Sequence, residues 1–218
     1  MHRREFSRTA ALSPLALMLG AAHLPTLAQT AAGYREGTDF LRLQRPAPVD
    51  APAGKVEVVE FFWYNCPHCF RFEPTFDQWS SKAPAHVVVR RLPVAFRDDN
   101  VPQQRLYYAL EAMGRADDLH RKVFHAVHVE KQRLNTQDEI SAWMAKQGVD
   151  KAKFLEFYNS FGVAGKARRA SQITDAYQVD GVPALGVAGR FFTSGSMAKS
   201  MERALQVVDH LVDLSRKA

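Results

Sequence analysis

The sequence predicts an α/β protein in which one mixed sheet is assembled from the two ends of the chain around an all-helical insertion. Three observations carry this. Residues 55–94 read as strand, helix, strand, a right-handed crossover unit with parallel strands. Residues 99–164 show helical periodicity and no strand-like run. Residues 165–218 read as helix, hairpin, helix. The expected division is 1–28 as a signal segment, 34–98 as the first part of the sheet domain, 99–164 as the insertion and 165–218 as the second part.

Asp39-Phe40-Leu41-Arg42-Leu43 alternates polar and apolar side chains and suits an edge strand. Pro46, Pro48 and Pro52 make 45–54 a loop. Lys55–Trp63 is nearly continuous in apolar residues, which suits a strand covered on both faces. From Cys66 to about Lys82 the period changes: Cys69, Phe72, Phe76 and Trp79 mark an amphipathic helix, and Pro74 within it predicts a kink. His86–Val94 is the second strand. Helices are expected at 103–113, 118–129, 136–147 and 151–161, with a longer one at 165–177. Thr136 and Glu139 form a capping box, and Gly114 and Gly148 are stops. Ala184–Ala188 and Arg190–Thr193 form a hairpin around Gly189. Met197–Arg216 is the last helix, with Met201, Leu205, Val208, Leu211 and Val212 as its buried stripe.

The 218 residues suffice for one sizeable domain with an insertion. A composition that is 46% hydrophobic and 24% charged is ordinary for a globular chain and argues against disorder. Residues 1–28 read as an address: His2, Arg3, Arg4 and Arg8, an apolar run to Leu24, and small residues at Thr26-Leu27-Ala28. Cleavage is placed after Ala28, with Ala22 and Ala32 as alternatives. Arg3-Arg4-Glu5-Phe6 leaves both the twin-arginine and the general secretory route open. Either leads out of the cytoplasm, so the expected setting is oxidising and periplasmic. The net charge of +6 falls to about +4 without this segment, poor support for a nucleic-acid partner. Lys166, Arg168 and Arg169 accordingly read as a solvated helix face.

The chain has two cysteines, Cys66 and Cys69, which excludes a disulfide-stapled scaffold and any four-cysteine metal site. They sit in Asn65-Cys66-Pro67-His68-Cys69, where a helix opens directly after a buried strand. Unpaired N–H groups and the positive end of the helix dipole favour a thiolate there. Pro67 stands where a missing N–H costs little. His68 can supply positive charge or a hydrogen bond to the Cys66 thiolate. Stabilising the ionised, reduced form makes the disulfide an oxidant. Two other readings of the spacing are a structural disulfide closing a very short loop, and half of a zinc site completed by His125 and His128. Gly181-Val182-Pro183 is a turn before a strand. A cis bond there would face Val182 toward a neighbouring site.

Glu60-Phe61-Phe62, Cys66-Pro67-His68-Cys69, Gly181-Val182-Pro183 and the helical insertion together resemble the DsbA family, exported bacterial thiol:disulfide oxidoreductases with a thioredoxin-like fold. The resemblance covers the chain from about Tyr34 onward. It implies a thioredoxin-like mixed sheet, Cys66 as the exposed nucleophile, Cys69 as its buried partner, and Val182-Pro183 as a cis-proline loop contacting substrate. It implies that Glu60 is a buried acid near Cys69, and that Arg91 stands where the family has a lysine. A Glu60–Arg91 pair would then move protons to and from Cys69. Trp63, Tyr64 and Asn65 depart from the best-known members and, with Val182, Leu185 and Phe192, are candidates for a groove rim.

The function this implies is donation of the Cys66–Cys69 disulfide to unfolded exported proteins with free cysteines, by a monomer reoxidised by a quinone-linked membrane oxidase of the DsbB type. No cofactor, metal or nucleic acid is called for. The rivals are a disulfide isomerase or reductase, a metal-delivery protein, and a peptide-binding holdase with incidental cysteines.

Overall fold

The structure is a computed structural model and describes residues 33–216. The expected signal segment and all three cleavage positions lie outside the described residues. A five-stranded sheet forms from β1 (Leu41–Arg42), β2 (Val56–Phe62), β3 (Val87–Pro93), β4 (Ala184–Val187) and β5 (Phe191–Ser194) in the order β1-β5-β4-β2-β3. β2 and β3 are parallel and every other pairing is antiparallel. Helix α1 (Pro67–Ser80) is the crossover between β2 and β3, and Pro74 lies in its interior. All of β2 is buried, as a strand with both faces covered must be.

Residues 101–176 contain five helices: α2 (Val101–Ala112), α3 (Ala116–His128), α4 (Gln137–Lys146), α5 (Lys151–Tyr158) and α6 (Phe161–Ala176). The capping box at Thr136 and Glu139 forms as expected. Two helix boundaries differ from expectation, both for the same reason. Ser160 caps a new helix, its Oγ accepting from Val163 N at 3.2 Å, so α5 stops at Tyr158 and α6 starts at Phe161. The expected insertion boundary at 164 therefore falls inside α6, which packs on both α2 and β3. Similarly, the C-terminal helix divides into α7 (Gly195–Ala198) and α8 (Met201–Arg216). Lys199 takes a left-handed φ of 72°, and Ser200 Oγ caps the second piece through Arg203 N at 3.1 Å. The expected stripe on α8 is buried, apart from a half-buried Met201, and gains Ala204 and Val207.

Side chains fill the two sides of the sheet separately. Val58, Leu185 and Val187 pack with α8 and with Phe72 and Phe76 of α1. Val59, Phe61 and Phe62 join the insertion, with Leu106, Leu110, Phe124 and Tyr177. Part of the basic patch on α6 is engaged rather than free: Arg169 pairs with Asp50 and Lys166 with Glu111, both at 2.5 Å. Asp50 also receives Arg90, which reaches Glu57, and so the proline-rich loop is tied to the sheet.

Ala188 and Gly189 join β4 to β5 with φ of 54° and 65°, a hairpin turn closed by Arg190 N on Val187 O at 2.9 Å. Gly186 in β4 lies under Tyr177, and an added Cβ would stand 2.4 Å from Cε1 of that ring. Tyr177 is held by its hydroxyl on Gly189 N at 2.9 Å, so it has little room to yield. Gly186→Ala is expected to cost about 1–3 kcal/mol in denaturant unfolding, the usual penalty for overpacking. Among the described residues no helix is long and apolar enough to cross a membrane.

Candidate active site

The carboxyl end of β2 delivers Cys66 to the start of α1. Cys66 is the N-cap, with φ −81° and ψ 115°, and Pro67 opens the helix. Its Sγ accepts the Cys69 backbone N–H at 3.4 Å and lies 3.3 Å from Val182 O across the site. The Val182-Pro183 peptide is cis. Both cysteines are free thiols; Cys69 is completely buried, and Cys66, expected to be exposed, is also buried, at 7% exposure, with its sulfur against the Val182 carbonyl. These placements bring Cys66, Pro67, Cys69, Val182 and Pro183 together.

The two sulfurs are driven apart electrostatically. A hydrogen bond from the Cys69 thiol, then the backbone N–H groups of Cys69 and His68 and the charge of His68, outweigh burial and bring Cys66 from 9.0 down to about 6. Burial, the hydrogen bond to Cys66 and the Cys66 charge push Cys69 well up. The shift at Cys66 corresponds to roughly 4 kcal/mol in favour of thiolate over thiol. Iodoacetamide should therefore alkylate Cys66 of the reduced protein at half its plateau rate near pH 6, with Cys69 unmodified throughout.

His68 is exposed at the mouth of an open groove of about 1050 Å³. The groove is lined also by Arg71, Phe72, Val182, Pro183, Phe192 and Met197. Arg71 Nη2 stands 2.8 Å from His68 Nδ1, a bond made to the neutral ring and given up when His68 is charged. Sequence reasoning missed Arg71, although its position three residues after His68 on a helix was a readable signal. Of the proposed rim residues, Val182 and Phe192 line the groove. Leu185 and Tyr64 do not: Leu185 is buried under α8, and Tyr64 points its hydroxyl into the protein onto His120 Nδ1 at 2.8 Å. Trp63 and Asn65 are also absent from the lining. Asn65 instead bonds to the insertion, accepting from Gln103 Nε2 at 2.7 Å and donating to Asn135 Oδ1 at 2.9 Å. His125 and His128 have separate partners: Glu130 Oε1 at 3.0 Å and Tyr64 O at 2.8 Å.

Beneath the cysteines lies a charged cluster. Glu60 in β2 is directly opposite Arg91 in β3, and Arg91 Nε stands 3.3 Å from Glu60 Oε2, a charge contact without hydrogen-bond alignment. The same guanidinium donates to Glu73 at 2.8 Å and to Asp77, both on α1. Burial, then the Glu73 charge, holds Glu60 well above the ordinary carboxylate range, against the pull of Arg91. Burial works on Glu73 in the same sense, but His120 and Arg91 outweigh it and keep that carboxyl low. Glu73 and Asp77 escaped the sequence reading because α1 was judged by its apolar residues. Spacings of four from Cys69 would have placed both acids on the cysteine's face. His120, reaching in from α3, carried no local signal.

Residues 101–206 match the family model for a DSBA-like thioredoxin domain. The chain is 44% identical over 202 residues to the thiol:disulfide interchange protein DsbA of Burkholderia cepacia, covering 92% of this chain and 94% of that one. It is 42% identical over 204 residues to the protein of the same name from Pseudomonas aeruginosa, covering 94% and 96%. The crystal structure of Pseudomonas aeruginosa DsbA superposes with a TM-score of 0.81 at 42% identity, over 86% of this chain and 97% of that one. A mixed sheet with a helical insertion, a thiolate at a helix start facing a cis-proline loop, and relatives this similar over nearly their whole length have one reading: the chain belongs to the DsbA family of thiol:disulfide oxidoreductases.

Proposed function

We propose that this protein oxidises newly exported proteins in the periplasm by donating the Cys66–Cys69 disulfide. A substrate thiolate attacks Cys66 Sγ and the Cys66–Cys69 bond breaks. Cys69 leaves with the electron pair and takes up a proton, for which Glu60, held protonated by burial, is the source. The second substrate thiolate then attacks the substrate sulfur of the mixed disulfide, and Cys66 departs as a thiolate stabilised by its N–H donors and His68. The substrate has lost two electrons and the protein has gained them. A quinone-linked membrane oxidase of the DsbB type, by the same exchange in reverse, restores the disulfide to the monomer. Val182 O and the open groove offer an extended substrate segment a backbone contact and an apolar wall.

The observation that carries this reading is the asymmetry of the two sulfurs. A group lowered on folding adds stability above its unfolded value and loses it as pH falls through its folded one. For Cys66 the loss occurs through about pH 6. At pH 7 ionisation of Cys66 favours the reduced form by about 1.4 kcal/mol, or about 30 mV of oxidising strength. Equilibration with glutathione tests the direction. A potential above about −200 mV agrees with an oxidase, and one near −270 mV, in the range of cytosolic reductants, rejects it.

A further inference from the structure

His120 is fully buried on α3, far in sequence from the cysteines. Two groups address its two ring nitrogens. Tyr64, two residues before Cys66, meets Nδ1 at 2.8 Å, and Glu73 Oε1 lies 3.2 Å from Nε2. The second contact is off the hydrogen-bond axis, so it acts through the dipole of the ring's N–H rather than as an aligned bond. The ring is fixed edge-on by Phe62, Tyr107 and Phe124. Only one proton arrangement suits these neighbours. Tyr64 is a phenol, since burial holds its pKa well up, and can donate or accept; the Glu73 carboxylate only accepts, so the ring's N–H belongs on Nε2 and Nδ1 takes the Tyr64 O–H. The ring is neutral because burial disfavours its charge, so its one N–H is on Nε2, toward Glu73.

We propose that His120 is a positioning residue for the exchange reaction: by turning its N–H onto Glu73 it fixes the negative charge there and leaves the proton of the carboxylate cluster on Glu60, where the departing Cys69 needs it. This rests on reading Glu60 as the proton source. Every charged or titratable group facing the cluster is consistent with it. Glu60 comes from β2, Tyr64 from the loop after it, Glu73 and Asp77 from α1, Arg91 from β3 and Tyr107 from α2. Arg121 touches Asp77 from outside at 3.7 Å. One arginine is shared by three acids, so whichever carboxylate has an additional donor retains its charge. Glu73 accepts an aligned bond from Arg91 at 2.8 Å and has the His120 N–H beside it at 3.2 Å as well, whereas both oxygens of Glu60 lack an aligned donor among the described residues.

The test is single-turnover oxidation of a dithiol peptide by the oxidised protein between pH 5 and 9, with rates divided by the peptide's thiolate fraction. The wild type should slow at alkaline pH as Glu60 loses its proton. In His120→Leu, Glu73 holds its charge less firmly, Glu60 ionises earlier, and the fall moves to lower pH. At pH 8 the corrected rate should drop about three- to tenfold, with little change at pH 5.5. His120→Gln should restore the profile, because an amide can accept from Tyr64 and donate to Glu73. Glu60→Gln should abolish the alkaline fall. If it survives in Glu60→Gln, the reading of Glu60 is wrong. If Glu60→Gln removes it while His120→Leu leaves it in place, only the role of His120 is overturned. Should His120→Leu fail to fold, Tyr64→Phe decides, since it frees Nδ1 and lets the ring proton move away from Glu73. An unshifted profile there overturns the proposal.

Discussion

Cys66→Ser will lower the rate of disulfide transfer to a reduced peptide by at least about a thousandfold, while Cys69→Ser will hold a single-cysteine peptide covalently attached. The first loss follows from the chemistry of the nucleophilic centre, where a hydroxyl cannot form the exchangeable bond. No other sulfur can substitute, since the chain has two cysteines and the second is completely buried with its thiol held protonated. The second outcome follows from the order of events. With Cys69 replaced, a mixed disulfide formed between Cys66 and a single-cysteine peptide has neither an internal thiol nor a second peptide thiol to release it. Mass spectrometry of the two variants after incubation with a single-cysteine peptide and an oxidant distinguishes them. Full cellular activity of Cys66→Ser would point instead to a holdase whose cysteines are incidental.

Arg91→Leu should be the most damaging single change to stability outside the apolar core. Three acidic side chains, Glu60, Glu73 and Asp77, converge on this one guanidinium, and the charge they carry raises its pKa against the effect of burial, with Glu73 and Asp77 ionised while Glu60 keeps its proton. Removing one partner of a buried ionic cluster strands the rest, at a cost of about 3–5 kcal/mol. For a chain of this size that is about 10 °C in Tm. The sign of the pH dependence can be worked out from Glu73. Its carboxyl is lowered on folding, so in the wild type it adds stability above its ordinary value of 4.5 and loses it as pH falls below that value. Without Arg91 the part of that gain which does not come from His120 disappears, and the stranded charges can be relieved by protonation. The gap between variant and wild type should therefore be large at pH 7 and shrink toward pH 4. Thermal melts at the two pH values check this, and an equal gap at both would mean that Arg91 acts by packing alone.

Much of the architecture was legible because it is written in local periodicity. The parallel β2–α1–β3 unit, the capping box at Thr136 and the hairpin around Gly189 depend on residues within a few positions of one another. The errors fell where one hydroxyl decided the outcome: Ser160 and Ser200 begin helices that the apolar pattern alone runs together. The reactive core of the site was legible for the same reason, since Cys66, Pro67, His68 and Cys69 are contiguous. Glu60 and Arg91 could be paired once the strands were known to be neighbours in register. His120, Gln103 and Asn135 could not, because no short-range rule links α2, α3 or the loop before α4 to the residues preceding Cys66. Their assignment required the tertiary arrangement of the insertion against the sheet.

Asn65 bonded to Gln103 and Asn135, and Tyr64 bonded to His120 and His128, place both residues ahead of the nucleophile in the grip of the inserted helices. The four-residue redox motif is therefore not a portable cassette. Grafted onto a bare scaffold of the same sheet, it would keep its helix dipole and lose the clamps behind it. A chimera that exchanges the inserted helices for those of a distant relative should inherit part of the donor's redox temperament, even with every residue of the motif unchanged.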